Sequence, residues 1–358
     1  MDYGSHNPIN CHYVNSVAQR VQANSLVRDR PAREWIDGHP LGNGDLGVMA
    51  LGDPVCFRYY LSKSNVWDDR TVAGGGSVLP EQSWDELKQV VKSGDGDRLN
   101  EINTAAVSDY SKTNYPSPQS CGVLSLAFAD GEYREFSQTL SLYKGQDDCR
   151  WFTDRGSYEL TCFVHQDRSV SEYDISFLDL AGNSVEVSLG RAPSDEYESE
   201  EAFCEDGILG FVFTFPDGLS YANALALDAD QPIQMAGGKA ATAQAESCRL
   251  RILQAIVTSE EAHDPKSAVI ESLRSCLASD RDSAKAECER YWGDFWDRSY
   301  IDLQSDEIEK IWYMGIYLIG SSSRPGAPAM PGLQGVWIED YSPPWKGDYH
   351  TDLNIQMN

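Results

Sequence analysis

Between about residues 25 and 260, short apolar or alternating runs are cut at close intervals by Gly, Asp and Asn, a pattern that leaves room for little but strands. Gly47-Val-Met-Ala-Leu-Gly is one such run, and Cys56-Phe-Arg-Tyr-Tyr-Leu alternates. Further candidates lie at 123–128, 134–142, 149–153, 158–165, 170–178, 185–189, 208–215, 222–227 and 249–257. Asp130-Gly131, Asp154-Arg-Gly156, Gly182-Asn183 and Asp217-Gly218 supply hairpin turns between them. Strands at this spacing predict a mainly β fold, a large antiparallel β-sandwich. One helix interrupts it: Ser83-Trp-Asp-Glu has the form of a capping box, and Leu87, Val90 and Val91 keep helical spacing before Gly94.

After Asp264-Pro265 the character changes. Residues 267–296 lack Pro, and lack Gly until Gly293, with Val269, Leu273, Cys276, Leu277, Ala284 and Tyr291 near helical spacing, so a helical linker follows the sandwich. Glu307 to Gly320 is apolar nearly all round and predicts a buried helix. The expected division is a tail over 1–24, a sandwich over 25–262, a linker over 263–304 and the start of a helical domain over 305–358. That last piece is too short to close a core alone, so the chain is expected to be a fragment.

The final segment carries the chemistry. From Asp352 on, Asp352, Asn354, Gln356 and Asn358 alternate with Leu353, Ile355 and Met357. In an extended backbone side chains i and i+2 share a face about 7 Å apart, which would line up a carboxylate and three amides. Such groups hold sugar hydroxyls, and aromatic faces suit the C–H faces of a sugar ring. An amphipathic edge strand or a helix with Asn354 and Asn358 one turn apart fits the same pattern. Upstream, Gly332-Leu-Gln-Gly-Val-Trp337 and Pro343-Pro-Trp-Lys-Gly347 place two Trp in rigid, helix-breaking surroundings. Gln334, Trp337, Trp345, Tyr349, His350, Gln356 and Asn358 are thus candidate sugar-binding residues. Asp352 and Asn354 are the candidate catalytic pair.

Composition narrows the partners. A net charge of −27 would repel a nucleic acid backbone, while a neutral oligosaccharide or glycan is compatible with it. No run approaches the ~18 apolar residues of a membrane span, so no membrane partner is expected. The six His show no metal-ligand spacing, and no metal or other cofactor is expected. The nine Cys lack any CxxC pair and read as small hydrophobes in a reducing, cytoplasmic setting, consistent with an N-terminus without a secretory pattern. Cys149 and Cys162 could alternatively pair across a hairpin. Oligomeric state is not legible. Gly42-Asn-Gly-Asp lacks the Lys-Ser/Thr of a phosphate loop and reads as a tight turn, His39 as a turn residue, and Asp147-Asp148 and Glu200-Glu201 as solvated loop charges.

Two segments resemble glycoside hydrolase family 95, typified by α-L-fucosidases. Pro31-Ala-Arg-Glu-Trp-Ile-Asp-Gly-His-Pro-Leu-Gly-Asn-Gly-Asp-Leu-Gly is similar to the family's opening Trp-x-x-x-x-Pro-x-Gly-Asn-Gly-x-Leu-Gly stretch. Leu333-Gln-Gly-Val-Trp, Pro344-Trp and Asp352-Leu-Asn-Ile-Gln-Met-Asn resemble its Leu-Gln-Gly-x-Trp, Pro-Trp and Asn-x-Asn-x-x-Met-Asn elements. The resemblance implies a β-sandwich (a supersandwich), a helical linker and an (α/α)6 barrel of which only the start is present. It implies an inverting hydrolase, in which an acid protonates the leaving oxygen and a base activates water about 6.5–9.5 Å away. Asn354 falls on the second asparagine that positions the water; Asp352 stands where the family has the first. A carboxylate there can take the water's proton or grip a sugar hydroxyl. The stretch Tyr60-Leu-Ser-Lys-Ser-Asn-Val-Trp also departs from the family's Leu-Asn-Glu-x-x-Trp, so the sugar is left open. The general acid is expected beyond residue 358, leaving this fragment inactive. A non-catalytic carbohydrate-binding or structural sandwich and a sandwich-plus-barrel phosphorylase are the alternatives.

Overall fold

The computed structural model describes residues 16–69, 84–102, 116–129, 132–191, 200–216, 218–236, 239–303, 305–339, 343–347 and 349. Two antiparallel sheets face each other. The larger has nine strands, in the order β1 (Leu26–Arg28), β6 (Glu135–Ser141), β7 (Gln146–Phe152), β8 (Gly156–Val164), β9 (Val170–Asn183), β16 (Ala245–Thr258), β13 (Ser220–Ala229), β12 (Ile208–Thr214) and β11 (Glu200–Glu205) among the described residues. The smaller runs β14 (Ile233–Ala236), β15 (Lys239–Thr242), β10 (Val185–Gly190), β5 (Ser117–Phe128), β4 (Cys56–Asp68), β3 (Leu46–Leu51) and β2 (His39–Gly42). The mainly β sandwich read from the alternation is the fold.

Alternation sets the core. Phe57, Phe128, Trp151 and Tyr158 meet between the sheets, with Trp151 stacked on Tyr158 at 5.0 Å and Phe57 4.9 Å from Trp151. On β13 the inward Tyr221 and Leu225 alternate with Ala222, Ala224 and Ala226, whose small side chains let a helix lie close on the outer face. That helix is α3 (Pro265–Leu277), following α1 (Val17–Ala23) and α2 (Trp84–Ser93). Asp264 caps it by accepting from Ser267 N at 3.2 Å, Pro265 opens it, and Val269, Ile270, Leu273 and Cys276 cover the alanines. Ser83, expected to cap α2, lies outside the described residues.

Helix α4 (Arg281–Trp296) joins the sandwich to α5 (Asp306–Ser322). Trp296 donates its indole N–H to Leu142 O at 2.8 Å. Trp292 covers Gly145, where a Cβ would come within 2.0 Å of the indole nitrogen. From α5, Tyr317 packs 4.8 Å from Trp292 and Tyr313 packs 5.6 Å from Trp296. The expectation that α5 is buried all round needs correcting. Its other side carries Ile308, Ile311 and Ile319, of which Ile311 is 73% exposed, because no described element covers that stripe.

Several local readings also change. Asp147 is not a loop charge: it sits in β7, 0% exposed, accepting from Gln138 Nε2 at 2.8 Å and paired with His39 Nδ1 at 2.7 Å. His39, read as a turn residue, is buried in β2. Glu200 and Glu201 are solvated, but on the edge strand β11. Cys149 and Cys162 are unpaired, because the ladder sets Cys149 opposite Leu160 and Cys162 opposite Asp147. Burial pushes the thiols of Cys121 and Cys288 up to about 12, as suits inert packing. Among the described residues, no helix is long and apolar enough to cross a membrane.

Candidate functional site

The Gly-rich hairpin between β2 and β3 seats the end of α5 and the loop around Val336. Asn43 shapes the turn: its Oδ1 accepts from Asp45 N and Leu46 N at 3.0 and 2.8 Å, and its Nδ2 donates to His165 O and Arg168 O. Gly44 takes φ +82°, and its N–H donates to Ser321 O at the end of α5 at 2.7 Å. A Cβ on Gly42 would lie 2.6 Å from Ser321 O, and one on Gly47 2.8 Å from Val336 O. The hairpin lacks side chains where helix and loop backbones press on it.

Onto this seat docks the loop Gly332–Ile338. Trp337, 6% exposed, donates its indole N–H to Leu41 O at 2.8 Å and packs with Ala32, Met49, Leu51 and Val336. Ser62 Oγ donates to Val336 O at 2.7 Å, and Tyr317 hydroxyl to Pro40 O at 3.1 Å. The two sequence stretches that carried the family resemblance, far apart in the chain, therefore touch.

Gln334 turns away from that seat and donates through Nε2 to Pro344 O at 2.8 Å, tying the loop to the turn Pro344–Gly347. Leu333 N donates to Gly347 O at 3.2 Å, and a Cβ on Gly332 would sit 2.2 Å from that oxygen. The turn is strained: Trp345 (φ 49°) and Lys346 (φ 57°) both hold left-handed conformations, which cost a non-glycine residue roughly 1–2 kcal/mol each. The strain presents the Trp345 ring to solvent, 71% exposed. Tyr349 stacks on Trp67 at 5.3 Å and 26°, and its hydroxyl donates to Met330 O at 2.6 Å. Burial raises the phenol of Tyr349, so it stays neutral. Gln334, Trp345 and Tyr349 thus share one loop cluster, while Trp337 anchors that cluster from below. His350, Asp352, Asn354, Gln356 and Asn358 lie outside the described residues.

Beside Tyr349 opens a cavity of about 580 Å³, bordered on one side by the end of β4 and on the other by Pro328 and Ala329. Here β4 leaves the regular ladder, with register shifts between Leu61 and Trp67. Its residues Ser62 to Asn65 are polar and buried together. Lys63 pairs with Asp45 and with Glu261 at 3.0 Å, and Ser64 Oγ donates to Asp45 Oδ1 at 2.8 Å. Asn65 Nδ2 donates to Thr258 Oγ1 at 3.0 Å and Glu260 Oε2 at 3.1 Å. Glu260 was not singled out from the sequence, and Asn65 and Trp67 entered only as part of the stretch Tyr60–Trp67 that departs from the family pattern. The available signal was a strand end that loses alternation, four polar residues before a Trp.

Residues 26–251 match the family model for the glycosyl hydrolase family 65 N-terminal domain. The chain belongs to that family. Residues 292–358 match the glycosyl hydrolase family 95 catalytic domain, so this family member is a family 95-like N-terminal portion. A probable alpha-fucosidase A of Aspergillus oryzae is 23% identical over 395 aligned positions, covering 94% of this chain and 52% of the relative. A probable alpha-fucosidase A of Aspergillus niger is 61% identical over 44 residues, covering 12% of this chain and 5% of the relative. Alpha-L-fucosidase 2 of Arabidopsis thaliana is 47% identical over 57 residues, covering 16% and 7%. The chain thus spans about half the length of the Aspergillus oryzae relative. Among solved structures, a putative kojibiose phosphorylase from human microbiome superposes with a TM-score of 0.61 at 9% identity, covering 87% of this chain and 43% of that one, a likeness of fold.

Proposed function

We propose that the chain is the N-terminal part of an inverting glycoside hydrolase that cleaves oligosaccharide or glycan bonds, with an α-L-fucoside-like sugar as its substrate. The docking of the Gly332–Ile338 loop on the Gly42–Gly47 hairpin carries this reading. It fixes the start of the segment running on to Asp352 against the sandwich, beside a cavity of about 580 Å³, within the ~300–1,000 Å³ range of ligand pockets. The relatives named as fucosidases support the sugar class.

In this reading, residues 25–262 are the sandwich domain, 263–304 the linker and 305–358 the barrel's opening. The exposed Ile308, Ile311 and Ile319 stripe is where further barrel helices pack. Asn354 orients the attacking water. Asp352 accepts its proton or holds a substrate hydroxyl, while Gln334 and the Pro344–Gly347 turn position the aromatic residues. The acid that protonates the leaving oxygen comes from later in the barrel, so residues 1–358 alone turn over no glycoside.

The test is activity of a form extended through the whole barrel on a panel of p-nitrophenyl glycosides. Release of p-nitrophenol from the α-L-fucoside, with the inverted sugar as first product by NMR, is the expected result. No release from any glycoside would favour a carbohydrate-binding module, and a requirement for phosphate a phosphorylase.

A further inference from the structure

We infer that Trp67 and Pro118, a cross-strand pair at one end of the smaller sheet, are positioning residues for the segment that bears Asp352 and Asn354. The inference takes the task of those two residues from the hydrolase reading, and everything else from contacts of the sandwich. Trp67 on β4 lies directly opposite Pro118 on β5 in the ladder. The indole N–H of Trp67 donates to Ser64 O at 2.8 Å, which fixes the ring, and Pro118 is buried. A proline ring has almost no conformational freedom of its own. The pair is a rigid platform built wholly by the sandwich.

Two residues of the last loop lie on that platform. Gly347 is buried at φ +62°, and a Cβ there would come within 2.7 Å of Pro118 Cγ. Tyr349, two residues on, stacks on Trp67 at 5.3 Å. Each is also tied to the stretch before the turn: Leu333 N donates to Gly347 O at 3.2 Å, and the Tyr349 hydroxyl donates to Met330 O at 2.6 Å. One contact fixes where a chain lies. Two contacts, two residues apart, also fix the direction in which it leaves. Asp352 follows Tyr349 by three residues and Asn354 by five, a reach of at most about 11 and 18 Å. An error of direction at Tyr349 is carried over that reach, and misplacing a catalytic group by ~1 Å can cost about a hundredfold in rate. Tyr349 then serves as the gripped residue rather than as a sugar contact.

The experiment has two arms. In the form extended through the barrel, Trp67→Ala should lower kcat on the α-L-fucoside about tenfold or more, with KM within about threefold, while Trp67→Phe keeps most of the rate. In the Asn354→Ala background Trp67→Ala should cost little more, because it acts through that segment. A raised KM at unchanged kcat, or losses that multiply in full with Asn354→Ala, would overturn the inference. In the 358-residue chain, hydrogen exchange of peptides spanning Gly347 to Asn358 should quicken about tenfold in Trp67→Ala, with β8 peptides unchanged. Equal exchange in wild type and variant would also overturn it. Gly347→Ala, which drives a methyl group into Pro118, supplies the same readouts if Trp67→Ala fails to fold. The exchange arm needs no turnover, so an extended form without activity would defeat the hydrolase reading and still leave the platform decided.

Discussion

Trp337 donates its indole N–H to the carbonyl oxygen of Leu41 at 2.8 Å, across 296 residues of chain. This bond, with Ser62 on Val336 O, makes the last loops part of the sandwich's own packing. Truncating a buried Trp costs about 3–5 kcal/mol. Trp337→Ala should therefore lower the urea midpoint clearly. Gly47→Val, whose Cβ would meet Val336 O, should also undock residues 332–338 and expose them to limited proteolysis.

A second prediction concerns acid. Glu172, 0% exposed, is gripped by Arg251 Nε and Nη2 at 2.7 and 3.0 Å and contacts His165 Nε2 at 2.9 Å. Burial alone would raise its carboxyl, but the hydrogen bonds from His165 and Arg251 prevail and hold it below the ordinary 4.5. A depressed folded value means that this stability is fully present above about 4.5 and is lost as pH falls through the lower folded value. Thermal melts should show wild type losing stability below that point, and Glu172→Gln should flatten the acid side of the profile. Removing one partner of a buried pair costs about 3–5 kcal/mol, so Arg251→Ala should be strongly destabilising at neutral pH.

The linker helix gives a third. Gly145 adopts φ +62° directly beneath Trp292, where a Cβ would collide with the indole. Gly145→Ala should cost more than the ~1 kcal/mol typical of backbone strain alone, lowering Tm by several degrees. Gly207 also has positive φ (+79°), but a Cβ there meets nothing within 4 Å, so Gly207→Ala should cost less.

The outer stripe of α5 gives a fourth. With Ile308 57% and Ile311 73% exposed, the isolated chain presents an apolar ridge on a helix. Ile311→Lys should reduce concentration-dependent association in sedimentation without lowering Tm. In a form extended through the barrel, the same substitution should destabilise.

The sandwich was legible because its signal is local: alternation along β8, β9 and β12 repeats within a few residues and is cut by Gly and Asp. What escaped was set by distant partners. Asp147 reads as a surface acid until His39, 108 residues away, and Gln138 enclose it. The short β2, β14 and β15 have too few residues to display a period. The polar end of β4 breaks alternation because Ser62 is covered by Val336 of the loop at 332–338, while Lys63, Ser64 and Asn65 are taken up by Asp45, Thr258, Glu260 and Glu261. The link between the two motif stretches was legible as a resemblance; their contact was not, since no local pattern in Leu41 or Trp337 specifies the other.

Asp352 and Asn354, in the segment that follows this docked loop in sequence, are the proposed catalytic pair. The direct measurement is kcat on an aryl α-L-fucoside for a form extended through the barrel, with Asp352→Asn and Asn354→Ala, each checked for unchanged Tm. General-base and water-positioning groups contribute roughly 10²–10⁴-fold, so each variant is predicted to lose at least about a hundredfold in kcat. Rates within a few-fold of wild type in both would contradict the assignment of this segment to the catalytic floor.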